Sequence, residues 1–140
     1  MGRVKTADPK NVQANLYKDV LRRFINADIH VAMIGRVIKY DKDHHTCEVQ
    51  PLPLEQDNDK RAPLVEVDVP SSVWQTDSFI QKLCEKADIS GYQPMRVNSV
   101  VGIGFWDQDA ENWTGTTNFK LESGRMHSIQ DPYVQVVLIP

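Results

Sequence analysis

Two short stretches hold most of the side chains that could do chemistry. The first, "DKDHHTC", gathers Asp41, Asp43, His44, His45 and Cys47. These are metal-ligand types, and a zinc site needs such groups converging on one point. Adjacent strand residues point to opposite faces, so His44 and His45 cannot easily chelate one ion. The stretch reads as a turn. The second, "FWDQDAENW", spaces Asp107, Asp109 and Glu111 two apart. That spacing resembles a calcium loop, but the glycine at loop position 6 and the glutamate at position 12 are missing. Paired carboxylates can also do acid–base work. A small metal-dependent hydrolase would use Asp107, Asp109 and His127, yet no nucleophile, orienting histidine or oxyanion loop stands nearby in the sequence. The stretch reads as a structural turn: Asp107 or Asp109 accepts nearby backbone N–H groups, and Trp113 anchors the segment by burial. "GIGFWD" lacks the further glycine and helix start of a phosphate cradle. We expect no catalytic residue, no metal and no cofactor.

Composition narrows the partners. The chain has 140 residues, enough for one domain with a core of its own. Lys+Arg of 16 against Asp+Glu of 19 leaves a net charge of -3. Nucleic-acid binders usually show a basic excess or a basic face. Here Trp106 and Trp113 are flanked by Asp107, Asp109 and Glu111, which would repel phosphate. No nucleic-acid partner is expected. Cys47 and Cys84 read as free thiols rather than a disulfide framework. No apolar run is long enough to span a bilayer, so stable membrane insertion is not expected.

These residues must be held by elements the pattern also predicts. Residues 1–9 read as a flexible terminus, and residues 10–140 as a single domain. Asp8 is the expected N-cap of a leading helix, with Pro9 at its first position. Val12, Leu16, Val20 and Phe24 recur every four residues along it, to about residue 28. Strands follow. "HVAMIGRVIKYD" is β-branched and apolar, with Gly35 at the expected bulge. "TCEVQPL" alternates with Cys47 and Val49 on one face. "LVEVDVP" alternates with Val65, Val67 and Val69 inward. Residues 75–96 break the β pattern as a short helical insertion, with Phe79 and Leu83 lining one side. "VNSVVGIGFWD" returns to strand, and Gly102 and Gly104 on one face allow a close backbone approach. The last strand places Val134, Val136 and Leu138 on one face and Tyr133, Gln135, Val137 and Ile139 on the other. A strand apolar on both faces is buried on both sides. The tally predicts a mainly β protein: a small five-stranded OB-like Greek-key barrel with an N-terminal α-helix and a helical insertion.

Four stretches in order, "VAMIGRVIKYDKDHHTCEVQPL", "LVEVDVP", "VVGIGFWDQDAENW" and "GRMHSIQDPYVQVVLIP", resemble the N-terminal OB-fold domain of phage baseplate central-spike proteins. Asp107, Asp109 and Trp113 match an Asp-x-Asp-x-x-x-Trp ending. Arg125, His127 and Ser128 match an Arg-x-His-Ser segment, and Ile139-Pro140 the final Ile-Pro. Longer members continue into a trimeric β-helix with a pointed tip; this sequence stops at Pro140 and lacks their His-x-His motif.

The resemblance implies a structural component of a phage or prophage tail, sited in the virion at the baseplate. It implies a homotrimer that caps the tail tube and binds the hub protein, with a separate spike-tip protein as a further partner. Tyr133, Val137 and Ile139 on the last strand, with Leu16 and Val20 on the helix, are the expected interface residues. The alternative, from fold analogy alone, is an OB-fold module for single-stranded nucleic acid or oligosaccharide.

Overall fold

The computed structural model describes residues 11–28 and 31–140, and the side chains of all of these except 26–28. The expected start at Asp8–Pro9 and the terminus at 1–9 lie outside them. Within them the helix opens at Val12. Asn11 is the N-cap, its side-chain oxygen accepting from the Ala14 N–H at 3.1 Å. The arm is α-helical over Val12–Leu16 (α1), π-helical over Tyr17–Leu21, and α-helical again over Arg22–Asp28 (α2). A stripe repeating every four residues drifts by about 40° per repeat on an α-helix. The wider π turn takes up part of that drift and keeps the stripe on one side.

Five strands close a barrel in the order β1-β2-β3-β5-β4, with β4 pairing back to β1. They are β1 Ala32–Asp41, β2 Thr46–Pro51, β3 Leu64–Asp68, β4 Val100–Phe105 and β5 Pro132–Ile139. Only β3 and β5 run parallel. A helix, α3 (Ser71–Ala87), joins β3 to β4. This is the OB-like barrel the pattern predicts. Its interior is Val37, Cys47, Val49, Leu64, Val67, Val69, Met95, Val101, Ile103, Phe105 and Val134. Each fully buried aliphatic side chain contributes roughly 1.5–3 kcal/mol.

Local departures from alternation are bulges. On β1 the register slips between Val37 and Lys39, so the extra residue is Ile38 and not Gly35. Gly35 is instead a contact point: a Cβ there would collide with Val49. On β3 the register slips opposite Cys47 and Val49. Glu66 takes a positive φ of 51°, and Val65 turns outward at 61% exposure. The expected inward set on β3 is therefore corrected to Leu64, Val67 and Val69.

The helix α3 starts at Ser71, ahead of the expected residue 75. It turns Val73 and Trp74 toward the core, while Phe79 and Leu83, the pair expected along one side, face solvent. Asp77 ties the following loop to the helix, accepting from the Tyr92 hydroxyl and from the Met95 N–H at 2.9 Å.

Both cysteines are free. Cys47 is 3% exposed, and burial pushes its thiol up to about 12. Only thiolate is alkylated efficiently. Iodoacetamide should label Cys84, which is partly exposed, and leave Cys47 untouched until the chain is unfolded. Prompt labelling of Cys47 in native protein, read by peptide mass spectrometry, would show that the barrel opens readily.

Candidate functional site

The loop from Trp106 to Asp131 is organised by one guanidinium. Arg125 donates to Asp109 at 2.8 Å and to both oxygens of Asp131 at 2.8 and 2.9 Å; Glu111 lies farther, at 3.4 Å. Asp109 is 1% exposed and Asp131 7%. The second Asp109 oxygen accepts from the N–H and the hydroxyl of Ser123, both at 2.9 Å, while the first also accepts from the Glu111 N–H at 2.9 Å. Buried carboxylates survive only when paired and hydrogen-bonded in this way. The Glu111 N–H, then Ser123 and Arg125, hold the Asp109 carboxyl below the usual carboxylate range. A bridge between Gln108 and Met126 pairs the two halves of the loop.

This arrangement divides the residues singled out from the sequence. Asp109 is enclosed by donors. Asp107 is 81% exposed in its side chain, with His127 Nδ1 3.4 Å away. Among the described residues no three His, Cys, Asp or Glu side chains converge as metal ligands. Trp113 is half exposed, so it does not anchor the turn by burial; its indole N–H donates to the Gly115 carbonyl at 2.7 Å. Asp131 and Ser123 escaped the sequence reading. Arg125 was visible only as a motif letter, without its role.

The same loop walls a cleft of about 1070 Å³. Trp106 and Trp113 stand on one side, and the β1–β2 turn and β3 on the other, with Asp41, His44, Glu66 and Asp68 lining them. Asp41 accepts from the His44 ring at 2.8 Å. That contact raises the imidazole above its ordinary value, and the N–H of His44 leads the lowering of Asp41.

The expected interface residues fall into two groups. Leu16 and Val20 are exposed at 57% and 42%, on a stripe that includes Phe24 at 66%. Ile139 is exposed at 60%. Val137 and Tyr133 are different. Register slips in the β4–β5 ladder leave Gln135 and Leu138 as extra residues, pairing Val101 with Val137 and Gly102 with Val136. Val137 thereby packs against the core, and Val136 turns outward at 45% exposure. The expected outward Val137 and inward Val136 are exchanged. Tyr133 lies over Gly104, its ring 2.6 Å from where a Cβ would stand, and stacks on Trp106 at 4.1 Å. Gly102 pairs with Ile34 on one side and Val136 on the other, so a bare backbone position lets these two exposed apolar residues flank it. No helix of the described residues is long and apolar enough to cross a membrane. No protein-family model and no curated protein matches the chain.

Proposed function

We propose that this chain is a structural component of a phage or prophage tail baseplate, an OB-like hub or spike domain that works by contact. On this reading it assembles as a homotrimer, caps the tail tube and binds the hub protein. The observation that carries it is the uncovered apolar stripe of the helical arm, Val12, Leu16, Val20 and Phe24, beside a closed barrel. Monomeric proteins rarely leave so contiguous an apolar surface in water. A barrel closed through β1-β2-β3-β5-β4 leaves little free sheet edge to rearrange under load.

Light scattering at micromolar concentration should return three protomer masses. Leu16→Glu combined with Phe24→Glu should return one, because paired charges on the stripe remove the apolar contact. Neither side chain is buried in the protomer, so circular dichroism should retain the wild-type barrel. A wild-type monomer would remove the trimer from this reading.

The OB-like barrel with its aromatic cleft also favours a second reading, a binding module for single-stranded nucleic acid or oligosaccharide. The carboxylates of Asp41, Glu66, Asp68 and Glu111 on the cleft weigh against the nucleic acid. We expect no binding of a labelled single-stranded oligonucleotide at physiological salt by fluorescence anisotropy. Affinity falling steeply with added salt would promote the second reading.

A further inference from the structure

We propose that the cleft between β3 and the Trp106–Asp131 loop is a docking groove for an extended, lysine- or arginine-bearing peptide. Two independent features point to that occupant. The first is backbone. β5 reaches β3 at one register pair, Asp68 with Tyr133. Upstream of it, the bulged stretch Leu64–Glu66, held to β2 through Leu64, faces the cleft on its other side. A strand with one open side accepts an extended chain as an added strand, and the pleat then aims alternate side chains of the guest into the groove.

The second feature is charge with aromatic faces. Glu66, Asp68 and Glu111 line the groove together with Trp106 and Trp113, which are 38% and 50% exposed. Among the described residues no cation pairs with Glu66 or Asp68. Burial first, and the Glu66 charge second, raise the Asp68 carboxyl above its ordinary value. The one guanidinium lining the groove, the partly buried Arg125, is already held by Asp109 and Asp131. A guest's ammonium or guanidinium would relieve this repulsion and lie against an indole face. A phosphodiester strand would worsen it. A neutral oligosaccharide would use the rings but would leave the strand edge unpaired.

The groove belongs to one protomer, so this inference stands apart from the tail assignment and from the trimer. The test is fluorescence anisotropy with a labelled synthetic peptide that alternates valine with lysine and arginine, at physiological ionic strength. We expect saturable binding to the wild type. We expect binding about tenfold weaker for Glu66→Lys, which reverses a charge on the guest's path, and for Trp113→Ala, which removes a ring face. Both positions are exposed, so each variant should keep the wild-type circular dichroism. A peptide of the same sequence methylated on its strand-facing backbone nitrogens should also lose about tenfold, because it cannot donate to the β3 edge. The proposal is overturned by absence of saturable binding, by equal affinity for Glu66→Lys, by equal affinity of the methylated peptide, or by chitohexaose binding in preference to the peptide.

Discussion

Replacing Arg125 by methionine should lower the thermal midpoint by on the order of 10 °C at neutral pH. The side chain is 24% exposed, and it is the only cation on Asp109 and Asp131 among the described residues. Methionine fills much of the space of the arginine stem but leaves two enclosed carboxylates facing each other. Removing one partner of a buried pair costs far more than removing both, because an uncompensated charge stays behind. Arg125→Met with Asp109→Asn and Asp131→Asn should therefore recover a good part of the loss, although three charges are gone. Thermal denaturation followed by circular dichroism measures both. A single variant that melts with the wild type would show that the loop is held by something else.

The same network sets an acid limit. The Asp109 carboxyl is lowered from its ordinary 3.8, first by the Glu111 N–H. A group whose folded value is depressed binds fewer protons in the folded state than in the unfolded one. Its contribution is complete above the unfolded value and is lost as pH falls through the folded value. Below about pH 4 the wild type should lose stability more steeply than the triple variant, which has no such carboxylate to protonate.

How far the sequence reveals this molecule depends on bulges and on distance along the chain. The strands and their order of appearance are legible because β-branched runs alternate with turn residues. On β2 the alternation holds, and Cys47 and Val49 are both inside. On β3 and β5 it fails. A bulge adds a residue to one strand and reverses every later side chain. Nothing in "LVEVDVP" announces that Glu66 adopts a positive φ, since no glycine or asparagine marks the place. The apolar stripe of the arm is plain from its four-residue repeat, but a repeat does not say what covers it. Asp109 stands out by its spacing from Asp107, whereas its clasp needs Ser123 and Arg125, which a one-dimensional reading leaves 14 and 16 residues away. The cleft is a property of the closed barrel: it sets Glu66 and Asp68 of β3 opposite Trp106 and Glu111, about 40 residues later in the sequence.

The bulges on β5 also decide which valine the fold depends on. Val134→Asp should abolish folding, while Val136→Asp should leave it intact. Val134 is fully enclosed, pairing with Ile103 in the β4 ladder. An aspartate there loses roughly 2 kcal/mol of apolar burial and gains an unpaired charge in the interior, a further cost of several kcal/mol. Their sum rivals the whole stability of a domain, about 5–15 kcal/mol. Two residues on, simple alternation would put Val136 in the same environment. The extra residue at Gln135 turns it outward instead, over Gly102, with 45% of its surface in water. An aspartate at that position stays hydrated and costs the barrel little. Val137, which the bulge turns toward the core, should behave like a milder Val134. Soluble yield and the circular dichroism of the three variants measure the contrast. Equal loss of fold for Val134→Asp and Val136→Asp would mean that β5 alternates without a bulge. A folded Val136→Asp that fails to form the proposed trimer would add the outer strip of Ile34 and Val136 to the contact proposed for the helical stripe.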